Sequence, residues 1–329
     1  MKSFIIKLLC FVGIPFVLIL GLYLSSNPFK NVGAFSTKDT NATNREYVST
    51  ELYLKNKSTQ HYNSFVFGSS RACNINTYQW KTHLPEGSNQ FLFQAWSETI
   101  TGISQKVDYL DENKVEIKNA LVLLEIPGTF SNTQQPTTVL HIKHYLMSGE
   151  TQLGYHSVFF SAILKPSELY KLSRQLFGKS IPDTISIDTL SNDWNKLNKE
   201  NWSVKPKQDS TTTSKSMFFL DKSKFPKNRP TTEQYASKLI NNDFESILKN
   251  IKSKFDIHKT NYKIIITPDY SQLHINKEDL LLLQEIFGKQ NVFNYSGKNK
   301  ITEDQYNFRD PGHFDACVGW QIIDEVYNK

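Results

Sequence analysis

The stretch Phe65-Val66-Phe67-Gly68-Ser69-Ser70-Arg71 decides how this chain is read. Three consecutive apolar residues of high strand propensity stop at a glycine, and two hydroxyl residues follow. A strand that is apolar on both of its faces belongs in a sheet covered on both sides, as parallel sheets are. Gly68 permits a tight turn, and a serine just past the carboxyl end of the first strand stands where open parallel sheets place ligands. A helix is expected next, with free N–H groups and a positive dipole end suited to an anion. Serines also cap helices, so at this point Ser70 has two readings, a cap and a reactive hydroxyl.

Outward from this block the same rhythm recurs. Phe91–Phe93, Ala120–Ile126 and Tyr262–Ile266 are short apolar runs that read as buried strands, with Val292–Tyr295 a weaker fifth. Helical periodicity is expected over Ile100–Leu110, Thr232–Phe255, Asp279–Phe287 and Cys317–Tyr327. Strands alternating with helices predict a parallel sheet sandwiched between helices. Residues 130–230 break the rhythm. One helix is expected there, Ser157–Leu176, followed by a polar segment rich in Lys, Ser and Thr. This is an insertion beside the sheet, a place to build a substrate surface.

The amino terminus is a different kind of sequence. Leu8 to Leu24 carries no charge, and the apolar stretch beginning at Phe4 is long enough to cross a hydrocarbon core about 30 Å thick. Lys2 and Lys7 precede it, which predicts an N-terminus inside and the remainder outside the cytoplasmic membrane. Cleavage after Ser26 would put bulky Leu24 where a small residue is preferred, so an uncleaved anchor is expected. The division is an anchor over residues 1–30, a linker over 31–47 and one domain over 48–329.

Composition narrows the function. Of 329 residues, 39% are hydrophobic and 21% charged, enough apolar surface for a packed core and too much for a disordered chain. The net charge of +6 includes Lys2, Lys7 and Lys30 of the first thirty residues, which hold no acid. The small positive excess elsewhere does not argue for nucleic acid. Three cysteines with no CxxC spacing exclude a disulfide-dense scaffold and structural zinc.

A second block, Asn307-Phe308-Arg309-Asp310-Pro311-Gly312-His313-Phe314, lies near the other end. Pro311 and Gly312 favour a turn, so Asp310 and His313 can project from one loop. A carboxylate three residues before a histidine can hold the imidazole's tautomer while its other nitrogen faces a serine hydroxyl.

With both blocks in place, the chain resembles the SGNH, or GDSL-like, hydrolase superfamily from about Asn63 to the C-terminus. The resemblance rests on an early Gly-Ser-Ser after the first strand and a late Asp-x-x-His before the last helix. It implies a flavodoxin-like three-layer α/β/α sandwich preceded by one transmembrane helix. It further implies Ser70 as nucleophile, His313 as general base and Asp310 as its orienter, with no metal or organic cofactor. Oxyanion donors are expected from the backbone of Ser70, from Ser97 within Gln94-Ala95-Trp96-Ser97-Glu98-Thr99, and from Gly128 within Glu125-Ile126-Pro127-Gly128-Thr129. Ser69 stands where many members have aspartate, Ser97 where they have glycine, and no asparagine follows Gly128. An anchor ahead of Gly-Ser-Ser is similar to the envelope branch, which implies an esterase or acyltransferase acting on an acylated carbohydrate or envelope polymer. The alternative is a binding module of polysaccharide assembly that has kept the fold and lost turnover, since a single oxyanion donor is worth about a hundredfold or more in rate.

Other residues have a functional and a plain reading. Arg71 is a candidate for holding a substrate carboxylate or phosphate, or for tying a neighbouring loop. His141, His144 and His156 lack the carboxylate pattern of a metal site and are expected to be surface or packing residues. Trp194 and Trp202 can stack on a sugar or pack locally. If the first and last helices share a face of the sheet, as the resemblance implies, Cys73 and Cys317 come close enough for a disulfide or pack as two small apolar residues.

Overall fold

The computed structural model describes residues 1–35, 44–131, 139–165, 169, 225, 226 and 229–328. Its centre is a five-stranded sheet built from β1 (Ser64–Gly68), β2 (Gln90–Gln94), β3 (Asn119–Leu124), β5 (Asn261–Ile266) and β7 (Val292–Asn294). The strand order is β2-β1-β3-β5-β7 and every pairing is parallel. Phe65 lies opposite Phe91 and Ala120, and Phe67 opposite Phe93 and Val122. β1, β2 and β3 are buried at every position, so both faces of the sheet are covered. The sheet continues the alternation read from the sequence, with all five strands in their expected places.

Helices supply the covering layers. α2 (Arg45–Gln60) packs on β2, and α4 (Ile100–Glu112) on α7 (Asn242–Ile257). α8 (Lys277–Phe287) packs beside α7, while α10 (Ala316–Tyr327) lies against α3 (Thr77–Thr82). Asparagines and a threonine start most of these helices: Asn44, Asn76, Thr99, Asn241 and Asn276 each accept a backbone N–H with the side chain. Short elements complete the description: α5 (Tyr145–Ser148), α6 (Gln152–Ile163), α9 (Lys300–Glu303), a β4/β6 pair (Gln234–Tyr235, Leu273–His274), and a β8/β9 hairpin (Phe308–Asp310, His313–Phe314).

Three boundaries differ from the sequence reading. α2 starts at Arg45, inside the stretch read as linker, and Phe29, Val32 and Phe35 ahead of it pack on the core. The helix expected over Thr232–Phe255 begins only at Asn242. Asp279 accepts the N–H groups of Leu239 and Ile240 and holds that segment extended, until Asn241 caps the helix. In the insertion, the helix expected from Ser157 begins at Gln152, where the Thr151 side chain accepts from the Gly154 N–H. Its expected end, and Trp194 and Trp202, lie outside the described residues.

α1 (Lys2–Ser26) is a single 25-residue helix, about 37 Å long, with a window of apolar residues that is not buried by the domain. It is long and apolar enough to cross a membrane. Its last turns reach the domain through Tyr23 and Phe16, both of which meet Phe160 of α6.

No disulfide joins Cys73 and Cys317. Both pack against the hydrophobic core, and burial pushes the Cys73 thiol up to about 12, so it is an inert packing residue. The close approach in this region is made by Gly319 instead. A Cβ at that position of α10 would overlap the carbonyl group of Asn74, 2.9 Å from its carbon. Because the obstacle is backbone, no rotamer change relieves it. Gly319→Ala is expected to cost roughly 1–3 kcal/mol through overpacking, seen as a lower urea midpoint. An unchanged midpoint would contradict the contact between α10 and the turn that carries Ser70.

Candidate active site

Ser70 follows β1 immediately. Gly68, with φ +157°, leaves little room for a side chain: a Cβ there would lie 3.0 Å from the Leu123 Cβ of β3. The segment after it is one 3-10 turn, Ser70–Asn74, in place of the full helix expected from the sequence. Ser70 opens that turn and stays partly exposed, while Ser69 is buried and donates to a Glu125 carboxylate oxygen.

Asp310 and His313 stand opposite each other in the β8/β9 hairpin, with Pro311 and Gly312 as the connecting residues. The Gly312 N–H donates to Asp310 Oδ1 at 2.8 Å, which fixes the carboxylate at the turn. His313 Nδ1 lies 2.9 Å from Asp310 Oδ1 and 3.1 Å from Oδ2, and its Nε2 lies 2.8 Å from Ser70 Oγ. The structure therefore brings together the three residues singled out from two distant blocks. With Nδ1–H donating to Asp310, Nε2 is left as the acceptor of the serine hydroxyl proton. Burial alone would raise the Asp310 pKa. The His313 hydrogen bond and charge, the Gly312 N–H and Arg309 outweigh it and hold the carboxyl below the usual range.

Arg71 explains how the two blocks stay in register. Its Nε donates to the Gly312 carbonyl at 2.6 Å, one residue before His313. Nη1 donates to Thr267 Oγ1 at 3.1 Å and to the Pro268 carbonyl at 3.3 Å, and Nη2 pairs with the Asp269 carboxylate. Glu125 Oε2 is 3.8 Å from Nε. Of the two readings of Arg71, the loop tie is the one these contacts describe: the guanidinium that was a candidate for a substrate anion is committed to protein acceptors. Arg309 makes a parallel tie, donating through Nη2 to the Asn74 side chain at the end of the serine turn.

The three oxyanion candidates sit on loops leaving β1, β2 and β3, which are neighbours with β1 in the middle. Ser97 is exposed and left-handed, with φ +48°, a conformation that favours glycine and costs other residues roughly 1 kcal/mol. Gly128 opens a short 3-10 turn, Gly128–Phe130, and is exposed. Among the described residues the N–H groups of Ser70 and Ser97 donate to no protein acceptor, so both are available to a ligand.

Sequence reasoning missed the groups around these candidates. Glu125, Thr267 and Asp269 all lie just past strand ends, which was the one available signal. A buried set of charges was also missed. Glu98, next to Ser97, pairs with Lys106 and Lys143, and Lys106 pairs with Glu46 at 2.9 Å. Lys106, Glu98 and Glu46 are buried, and Gly102 of α4 leaves the space that Glu98 and Lys143 fill. Burial raises the Glu98 pKa, but Lys106 and Lys143 outweigh it and bring the carboxyl down to about 2.

Of the three histidines, His144 has a packing role. His144 is buried, stacks on Tyr145 and Tyr47, and lies 3.2 Å from Glu51. Among the described residues no cluster of His, Cys, Asp and Glu is arranged to hold a metal ion. The sequence matches no protein-family model and no curated protein.

Proposed function

We propose that the protein is a membrane-anchored serine esterase or O-acyltransferase of the SGNH type, acting on O-acyl groups of a cell-surface glycan or envelope polymer. One observation carries the reading: the unbroken run of hydrogen bonds from Ser70 Oγ through His313 to Asp310 at the carboxyl end of a parallel sheet. The strand order β2-β1-β3-β5-β7 supports a flavodoxin-like sandwich.

In this mechanism His313 Nε2 accepts the Ser70 proton as Oγ attacks the acyl carbon. The N–H groups of Ser70, Ser97 and Gly128 receive the oxyanion of the tetrahedral intermediate. His313 returns the proton to the departing alcohol oxygen, leaving acyl-Ser70. Water or a sugar hydroxyl, deprotonated by the same nitrogen, attacks the acyl carbon, and Ser70 Oγ leaves with that proton returned from His313 Nε2. Asp310 holds the imidazole in the required tautomer and stabilises the imidazolium. These steps call on no metal or organic cofactor. Covalent labelling by a fluorophosphonate, blocked by Ser70→Ala, tests the assignment and separates an enzyme from a binding module.

Lys2 and Lys7 before the uncharged run Leu8–Leu24 support an N-in anchor, with the domain outside the cytoplasmic membrane. A phosphatase active only after export, fused at the C-terminus, is expected to be active, and a reporter that works only in the cytoplasm silent. The reverse pattern would overturn the orientation.

A further inference from the structure

α6 carries an unusual outward face. Leu153, Ser157, Phe160 and Leu164 fall at i, i+4, i+7 and i+11, one stripe along the helix and the residue just past it, with Phe160 half-buried and the exposed polar residues Gln152 and Ser161 beside it. Leu153 is 82% exposed and Leu164 44% exposed, though both are large and apolar. The only polar member, Ser157, donates its hydroxyl to the Gly154 carbonyl within the helix at 2.7 Å. From Thr151 to Leu164 there is no Asp, Glu, Lys or Arg, and Glu150 and Lys165 mark the two ends. α6 is therefore uncharged and apolar on most of its surface, with large apolar side chains left exposed among the described residues.

What covers the stripe is indicated by its continuity with α1. Phe160, in the middle of the stripe, meets Phe16 at 5.5 Å and Tyr23 at 5.6 Å between ring centroids. Phe16 lies eight residues before Leu24, the end of the uncharged run, so at 1.5 Å per residue it is about 12 Å inside that end. A side chain in contact with Phe16 is therefore at hydrocarbon depth whenever α1 spans the bilayer, whose core is about 30 Å thick.

The same contacts orient the sheet. Phe29 meets Phe159 at 5.4 Å, and Tyr47 stacks with Tyr155 at 6.4 Å, which ties α6 to the start of α2. Arg45, also at that start, lies 5.4 Å over the Trp96 ring, two residues past the carboxyl end of β2. A continuous chain of contacts thus runs from the exit end of α1 through α6 to the edge of the sheet that carries Ser70 and Ser97.

We infer that α6 is embedded beside α1 in the leaflet on the domain's side, and that this second membrane contact holds the carboxyl edge of the sheet, with Ser70, against the bilayer. The inference rests on the anchor reading of α1. It makes the substrate of the proposed chemistry an acyl group presented at the membrane surface.

The test uses the whole 329-residue chain in vesicles of phosphatidylethanolamine and phosphatidylglycerol that include a phospholipid with a diazirine in its acyl chain. After photolysis and trypsin digestion, lipid adducts are expected on two peptides, Leu8–Lys30 and His144–Lys171, with the second set mapping to Leu153, Phe160 or Leu164. Phe255–Lys259, which holds the exposed Ile257 at the amino edge of the sheet, is expected to carry none. Adducts on Leu8–Lys30 alone would overturn the inference while leaving the anchor intact. Equal labelling of Phe255–Lys259 would overturn the orientation. Absence of label on Leu8–Lys30 would remove the anchor reading and this inference with it.

Discussion

Alanine in place of Ser70 is expected to abolish fluorophosphonate labelling and to lower p-nitrophenyl acetate turnover about 10,000-fold or more. His313→Ala should do the same, and the double variant should be no worse than either single one, because the residues act as a unit. Asp310→Asn should cost as much or less, since Asp310 orients the base and does not touch the acyl group. Ser70 is partly exposed, so losing its hydroxyl should change stability by only about 1 kcal/mol or less. Unfolding midpoints near that of the parent would separate lost chemistry from lost structure. Undiminished turnover in Ser70→Ala would end the esterase reading. The Asp310–His313 contact also has a pH signature. Because the folded Asp310 pKa lies below its ordinary value of about 3.9, the stabilisation is present above that value and is lost as pH falls through the lower folded one.

Much of this was legible in the chain because it was local. The strands are short, largely apolar runs of two to five residues, and a parallel sheet needs little else. The serine and the Asp/His pair were visible because each sits in a short block at a strand end, and Pro311-Gly312 betrays the hairpin that joins Asp310 to His313. α2 was not legible for the opposite reason. Its buried face includes Arg45, Glu46, Ser49 and Thr50, so the polar residues that mark a surface in most helices here mark the interior. Arg71 was ambiguous because its partners, Gly312, Thr267, Pro268 and Asp269, lie about two hundred or more residues away in the chain. A charge's role is set by what the fold brings to it, and one sequence holds no trace of that pairing.

The buried charges beside Ser97 show the same point and carry the second large effect. Lys106→Met is expected to destabilise the protein by about 3–5 kcal/mol, because it leaves the buried Glu98 and Glu46 with the partly exposed Lys143 as their paired cation. Glu98→Gln alone should be costly for the converse reason, since it leaves two lysines on one carboxylate. The double variant Glu98→Gln with Lys106→Met keeps Glu46 and Lys143, 3.8 Å apart, as a neutral pair. It should recover much of the loss, so that the double variant is destabilised by less than the sum of the two single ones in a double-mutant cycle read by urea unfolding in detergent. The sign of the pH dependence follows from Glu98. Its carboxyl is held near 2 in the fold against about 4.3 unfolded, so its contribution is complete above the higher value and disappears as pH falls toward the lower. Glu98→Gln should therefore flatten the acid limb of the stability curve. Glu98 is also the residue after Ser97, whose left-handed backbone presents one of the proposed oxyanion N–H groups. In the double variant, a drop in kcat with an unchanged KM would mean that the charges hold that donor in position. Stability of Lys106→Met within 1 kcal/mol of the parent would show instead that water reaches the lysine and the cluster is not a buried network.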